Sequence, residues 1–307
     1  MVRKLQDYFV IGLKGMAMGA ADVVPGVSGG TIAFISGIYE ELLSTISNVN
    51  LSLLRTLKTS GIKAAWKQLN GSFLTALFLG VFVSIVSLAK VIKNLLESQP
   101  ILLWSFFFGL VLASIIYIAK QISNWNFKAF LILVLGAALA FYITTLNPLV
   151  SENSSSLFLF LAGAIAICAM ILPGISGSFI LVLLGAYKPV LEAVNNRDFK
   201  IILTFMAGAV VGLLTFSRVL KWLFTKYKNL TLAVLTGFII GSLNKIWPWK
   251  ETLTWRTNSH GVKVPFNQQS VSPFSFDEDP QLMLAVAFSI LGFVLILGLE
   301  KLAVKKQ

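Results

Sequence analysis

Long apolar segments alternate with short polar ones along the whole chain, and this pattern predicts membrane-spanning helices. Six segments are apolar over close to the roughly 20 residues that cross a bilayer. They are 72–89, 101–119, 129–146, 201–217, 230–246 and 281–300. Polar and basic residues separate them, so the sequence predicts an all-α polytopic membrane protein.

Two further apolar segments, 8–46 and 157–194, are each interrupted near the middle by proline and glycine. Proline lacks the amide donor that a helix needs and glycine frees the backbone, so each helix should stop and restart there. Neither arm of either segment is comfortably long enough to span a bilayer alone. The pattern therefore predicts two re-entrant helical hairpins, each entering and leaving the membrane by the same face.

The two interruptions are copies of one another. Residues 24–31 read VPGVSGGT, and residues 172–178 read LPGISGS. The match continues in register through the hairpin, pairing Gly37 with Gly185 and Tyr39 with Tyr187. Beyond the hairpin the offset between the copies falls from 148 to 128 residues, because the first half has the longer loop, and the matches are Gly80 with Gly208, Lys90 with Arg218, and Gly109 with Gly237. The sequence therefore predicts an internal duplication into residues 1–150 and 151–307, each half a hairpin followed by three spans.

The distribution of positive charge predicts the orientation of the halves. Three crossings per half would turn the second half upside down relative to the first. A cytoplasmic N-terminus places more Lys and Arg residues inside than outside, as the positive-inside rule requires. The basic segment 47–71 is then a cytoplasmic loop, the insert 247–280 is extracytoplasmic, and both termini are cytoplasmic. If each hairpin crossed once, the halves would instead be parallel.

The composition supports a membrane protein and excludes several other classes. Hydrophobic residues make up 56% of the chain and charged residues 12%, against about 25% charged in soluble domains. Mean hydropathy is +0.83. The net charge of +12 is therefore interpreted as loop charge at the membrane and not as a nucleic-acid binding surface. The single cysteine, Cys168, excludes an internal disulfide.

The paired interruptions are the strongest candidates for a ligand site. A helix that restarts inside the membrane offers unpaired backbone N–H groups, here flanked by hydroxyls, to a phosphate or carboxylate. The candidate phosphate ligands are Ser28, Gly29, Gly30, Thr31, Ser176, Gly177 and Ser178. The alternative is a kink whose glycines only permit close packing, but two matching breaks in two half-sequences favour a transporter's binding site.

Three charged residues at membrane depth or at span ends are further candidates, because such groups are costly there. Asp22 precedes the first interruption. Its functional interpretation is a proton or cation carrier, or the counter-ion of a basic phosphate ligand, and the alternative is a cap on the backbone of the broken helix. Glu40 is either a coupling group or the solvated end of the hairpin. Arg218, at the end of a span, is either a cationic partner of the phosphate or a snorkelling anchor.

The sequence contains few residues that could form a catalytic site. There is no His/Cys/carboxylate cluster with metal-ligand spacing, no Walker lysine after the glycines, and no Ser-His-Asp set, since the only histidine, His260, falls in the insert. We expect no metal, no cofactor and no enzymatic activity. A carrier of a small anion or carboxylate remains an alternative, while a lipid-phosphate phosphatase and a purely structural scaffold rank lower.

Several sequence blocks resemble a known family. GAADVVPGVSGGT at 19–31 and GIYE at 37–40 look like the signature of a bacterial and archaeal membrane family long known only as domain of unknown function 368. PGISGS at 173–178, GSL at 241–243 and IWP at 246–248 resemble its later blocks. The resemblance covers essentially the whole chain. It implies a polyprenyl-phosphate transporter in the cell membrane that returns undecaprenyl phosphate, the lipid carrier of cell-wall synthesis, from the outer to the cytoplasmic leaflet.

Overall fold

The computed structural model describes residues 3–24, 27–146, 155–257 and 263–304. Pro25 and Gly26 of the first interruption therefore lie outside the described residues, as does His260 of the insert. The described residues form a helical bundle with one small β-hairpin.

The helices of the two halves follow one another in the same order. The first half contains α1 Leu5–Val23, α2 Gly29–Ile35, α3 Tyr39–Ser47, α4 Leu51–Leu69, α5 Gly71–Ser98, α6 Pro100–Ala119 and α7 Phe127–Thr145. The second contains α8 Ser156–Ile171, α9 Gly177–Leu183, α10 Tyr187–Asn195, α11 Phe199–Lys226, α12 Lys228–Ser242 and α13 Leu282–Val304. Helices α2 and α9 both have 7 residues, α3 and α10 both have 9, and α5 and α11 both have 28.

Within the described ranges, five helices are long and apolar enough to cross a membrane. They are α5, α6, α7, α11, and α12 with the 3₁₀ turn Leu243–Ile246 that prolongs it. These helices cover the first five predicted spans, which confirms the polytopic α-helical class. Helix α13 covers the sixth, with a shorter apolar stretch, Leu282–Gly298.

The segment 47–71 is not the loop that its polar and basic residues suggested. Most of it forms α4, which begins after Asn50, whose side-chain oxygen accepts hydrogen bonds from two backbone N–H groups of the first turn. Gly61 kinks the helix with a φ of 79°. Leucines alternate with the basic residues along α4, and this amphipathic pattern forms a helix where charge alone indicated a loop.

Glycines bring the main helix pairs into backbone contact. Helix α1 packs along α5, and α8 packs along α11. At Gly80 on α5 a Cβ would collide with the carbonyl group of Gly12, and at Gly208 on α11 it would collide with that of Phe160. In the same way α6 packs on α13, and α7 packs on α12. Each half therefore places two of its spans against the other half.

The insert contains a β-hairpin that the hydrophobic pattern did not predict. Strands β1 Lys250–Thr257 and β2 Lys263–Ser270 pair antiparallel, with a register shift within β1. Trp249 is buried against Ile101 of α6 and Ala285 of α13. The hairpin is thus held on the same end of the bundle as the 3₁₀ turn.

Candidate functional site

The helices break at both repeated motifs, as the sequence predicts. Helix α1 ends at Val23 and α2 begins at Gly29, while α8 ends at Ile171 and α9 begins at Gly177. After the second break the chain bends by 107° between α9 and α10. The two breaks do not lie apart: side chains of the first contact the backbone of the second.

Ser28 is the first of these bridging residues. It is 1% exposed, and its hydroxyl oxygen lies 3.3 Å from the carbonyl oxygens of both Met170 and Leu172. The same oxygen accepts a hydrogen bond of 3.1 Å from the backbone N–H of Gly30. Ser28 therefore caps the start of α2 and at the same time satisfies a carbonyl group at the end of α8.

Thr31 and Tyr39 continue the contact between the breaks. The backbone N–H of Gly174 donates a 3.0 Å hydrogen bond to Thr31 Oγ1, and the Tyr39 hydroxyl donates one of 3.1 Å to the carbonyl oxygen of Ile171. Gly174 has a φ of +87°, and a Cβ there would lie 2.9 Å from Cα of Ile239. Only glycine fits this position, because it needs both a left-handed backbone and close approach to α12.

The described residues on the α2 side of the first break are buried by internal contacts. All residues of α2 are buried. The Asp22 carboxylate accepts a 2.7 Å hydrogen bond from the backbone N–H of Gly29. Asp22 thus makes the capping contact that was one of its two sequence interpretations. The candidate ligands Ser28, Gly29, Gly30 and Thr31 all lie buried at the junction between the breaks.

The second break is open where the first is closed. Gly177 is buried, but Ser176 is partly exposed and Ser178 is exposed. Their hydroxyl oxygens lie 2.8 Å apart, which is hydrogen-bonding distance. At this separation both hydroxyls could also donate hydrogen bonds to the same oxygen atom of a ligand. Unlike α2, the short helix α9 buries few of its residues.

A narrow cavity lies beside this second break, between α7, α9 and the end of α12. Its wall includes Thr144 of α7, Ser176 and Phe179 at α9, and Ser242 and Lys245 at the end of α12. The wall is mostly apolar, with hydroxyl groups and one ammonium group as its polar features. In this conformation the cavity has room for about one water molecule, so a larger ligand would require it to widen. Its hydroxyl and ammonium groups are of the kind that bind an anion.

Two lysines give this end of the bundle its positive charge. The Lys245 ammonium lies 4.4 Å from the ring centroid of Phe179. The Lys250 ammonium donates a 2.6 Å hydrogen bond to the carbonyl oxygen of Lys245 and lies 4.0 Å from the ring centroid of Trp104. Burial lowers the pKa of Lys250 in the insert to about 7, and the charge of Lys245 lowers it as well. Lys245 falls near the end of the predicted span 230–246, and the sequence predicts no role for it.

Arg218 and Glu40 lie elsewhere, at the ends of α3. Arg218 Nη2 donates a 2.7 Å hydrogen bond to the carbonyl oxygen of Val49, just after α3. Glu40, in the first turn of α3, forms a 2.9 Å ion pair with Lys228 at the start of α12. Neither residue lines the cavity beside the second break.

The two halves differ at this contact. Lys221 on α11 donates a 3.1 Å hydrogen bond to the hydroxyl of Ser47, so α3 is held along α11. In the sequence correspondence between the halves, the equivalent pair is α10 with α5. Within the described part of the chain α10 makes no comparable contact with α5, so the α3–α11 contact has no counterpart of similar extent there.

These features define a polytopic membrane protein with paired, touching helix breaks, an arrangement known from secondary transporters. Residues 18–264 match the VCA0040-like family, described as undecaprenyl phosphate translocase-like, and the chain belongs to this family. The family description and the names of the relatives below denote transporters and not enzymes, so the sequence-based recognition is confirmed.

Two relatives carry the same protein name. The polyprenyl-phosphate transporter of Vibrio cholerae is 51% identical over 309 residues, which cover 99% of this chain and 100% of that protein. The polyprenyl-phosphate transporter of Staphylococcus aureus is 33% identical over 254 residues, covering 77% of this chain and 85% of that protein. No solved structure matches the chain.

Proposed function

We propose that this protein transports polyprenyl phosphate, returning undecaprenyl phosphate from the outer to the cytoplasmic leaflet of the cell membrane for reuse in cell-envelope polymer synthesis. Its relatives are named for polyprenyl-phosphate transport. The observation that carries the proposal is the cavity beside the second break, where the hydroxyl of Ser176 and the ammonium of Lys245 face one apolar space.

The physical problem in such transport is the phosphate. Its charge must cross a hydrocarbon layer about 30 Å thick, where an unpaired charge is costly. Hydroxyls, backbone N–H groups and cations can replace the water that it loses. The isoprenoid tail can stay in lipid throughout, so only a lateral slot is needed. Helix α7, which forms one wall of the cavity, exposes large side chains such as Phe141 and Tyr142, and this supports access from the lipid.

We further propose that the halves are inverted, that the hairpins are re-entrant, and that both termini are cytoplasmic. In this orientation the contact between α3 and α11 closes the cytoplasmic side, and the cavity at Lys245 opens toward the outer leaflet. Matching helix lengths and matching glycine contacts in the two halves support the duplication. The unequal contacts of α3 and α10 support a state open to the outside, which would exchange with its mirror counterpart.

The candidate residues take successive roles in this scheme. The second break receives the phosphate from the outer leaflet, and the first break releases it to the cytoplasmic one. Arg218 binds the phosphate on the cytoplasmic side once α3 leaves α11, and Asp22 and Glu40 are the groups that couple transport to protons. The proposed phosphate ligands are Ser176, Gly177, Ser178, Ser28, Gly29, Gly30, Thr31 and Arg218.

Reconstitution tests this function. The purified protein is placed in liposomes whose outer leaflet holds fluorescent undecaprenyl phosphate, and loss of the outer-leaflet signal is followed with and without a pH gradient. We expect exchange above that of empty liposomes, and an acceleration by one sign of the gradient. Labelled undecaprenol, which lacks the phosphate, serves as the matched control and should not respond to the protein. Exchange equal to that of empty liposomes would refute the proposal.

A further inference from the structure

The wall of the cavity beside the second break includes a lysine that pairs with no carboxylate of the described residues. Lys245 is partly buried at the end of α12, and its ammonium lies against the face of the Phe179 ring. An aromatic face attracts a cation but does not neutralise it. Within the described residues no carboxylate pairs with Lys245.

A second ammonium group lies close by and adds to this charge. Lys250 is held in place by its hydrogen bond to the Lys245 carbonyl and by the Trp104 ring. No described carboxylate pairs with it either. Two like charges that are partly removed from water repel one another, which contributes to the lowered pKa of Lys250, and an anion placed between them would relieve the repulsion. Lys250 already has its contacts within the protein, whereas Lys245 borders the open space.

We infer that Lys245 is the residue that binds the phosphate headgroup on the outer side, with Phe179 orienting its ammonium toward the cavity. The inference rests on the proposed function and assigns a headgroup ligand to it. Ser176 lines the same cavity, so the phosphate can accept from a hydroxyl and from an ammonium at once. Lys250 contributes positive potential without touching the ligand.

Binding of farnesyl phosphate, a short polyprenyl phosphate, to the full-length protein in detergent tests the inference. Lys245→Gln removes the charge, and Lys245→Arg keeps it. Lys188→Gln is the matched control, because Lys188 lies exposed on α10 of the same half, where it pairs with Glu192. We expect Lys245→Gln to raise the Kd roughly ten- to hundredfold, Lys245→Arg to stay near wild type, and Lys188→Gln to have no effect. Melting temperatures confirm that each variant is folded.

The outcomes separate this inference from the function on which it rests. Equal affinity of wild type and Lys245→Gln for farnesyl phosphate overturns the role of Lys245 and leaves the transport proposal standing. Absence of binding to the wild type itself overturns both. The affinities of farnesol and inorganic phosphate are measured alongside that of farnesyl phosphate. Weaker binding of both supports a lipid headgroup site, while inorganic phosphate that binds as tightly as farnesyl phosphate overturns the lipid specificity.

A measurement on the wild-type protein avoids any folding defect of the variants. Lysines are acylated with an amine-specific reagent, and the rate at each site is read by mass spectrometry. We expect saturating farnesyl phosphate to slow acylation of Lys245 severalfold and to leave Lys188 unchanged. Unaltered labelling of Lys245 at saturation would contradict the inference.

Discussion

The backbone N–H of Gly174, in the second helix break, donates a 3.0 Å hydrogen bond to Oγ1 of Thr31, in the first. Thr31 is 1% exposed, so this contact between the two halves is shielded from water. A buried N–H group without a partner is costly. The hydrogen bond therefore links the two repeats at the point where both helices are interrupted.

Thr31→Val should weaken this junction. Valine keeps the shape of the side chain but leaves the N–H of Gly174 without an acceptor, which costs about 1–3 kcal/mol. We expect a lower melting temperature in detergent. Thr225→Val is the control, because the exposed Thr225 hydroxyl bonds only to the Lys221 carbonyl of its own helix. Equal melting temperatures of Thr31→Val and wild type would contradict this role.

The serines of the two breaks should respond differently to removal of the hydroxyl. Ser28 is buried and caps α2, so Ser28→Ala should lower stability by about 0.5–2 kcal/mol. Ser178 is exposed at the open break, so Ser178→Ala should leave the melting temperature unchanged and slow leaflet exchange of undecaprenyl phosphate. The two measurements are made on the same preparations. Loss of stability without loss of exchange in Ser178→Ala would count against the proposed ligand role.

Gly80→Ala should separate α1 from α5. The added Cβ would collide with the backbone carbonyl of Gly12, which cannot move aside as a side chain would. Overpacking of this kind costs about 1–3 kcal/mol. At the exposed Gly298, nothing lies within 4 Å of an added Cβ, so Gly298→Ala should be neutral or slightly stabilising. Similar melting temperatures for both variants would show that the close contact is unimportant.

Lys250 should make stability depend on pH. Its pKa is lowered from 10.5 to about 7 in the folded protein by burial and by Lys245. Between these two values the unfolded chain binds more protons than the folded one, so the free energy of unfolding rises with pH across this window. We expect the melting temperature of the wild type, relative to that of Lys250→Met, to rise as the pH is raised from about 7 to about 9. A difference that stays constant across this window would contradict the lowered pKa of Lys250.

The helix breaks and most spans were predictable because proline, glycine and hydrophobicity act locally. The Pro-Gly pair of each motif favours a helix end through its local backbone effects, although single glycines such as Gly80 lie within helices. Apolar runs of about 20 residues indicate a span without further context. The ends were less predictable: α5 and α11 run on through Lys90 and Arg218, because charged residues at span ends do not stop a helix. The basic residues of segment 47–71 favour a loop, but its apolar residues recur with the period of an amphipathic helix, and the segment forms α4.

The residues of the two motif copies do not indicate which copy is buried and which lines a cavity. The sequence presents Ser28 and Ser176 as equivalent, yet one is buried in a junction and the other lines a cavity. This difference arises from the packing of α2 and α9 against other helices, which is a tertiary property. Lys245 likewise could not be assigned from the sequence, because its position in the same cavity as Ser176 depends on how α12 meets the second break.

Leaflet exchange in a crosslinked protein tests most directly the claim that the headgroup crosses when α3 separates from α11. In a Cys168→Ala background, Ser47→Cys and Lys221→Cys are joined by a short cleavable thiol crosslinker. Lys188→Cys and Glu192→Cys, joined within α10, are the control. We predict that the first crosslink reduces exchange of labelled undecaprenyl phosphate to that of empty liposomes, that cleavage restores it, and that the control crosslink has no effect. Undiminished exchange with α3 fixed to α11 would contradict the account.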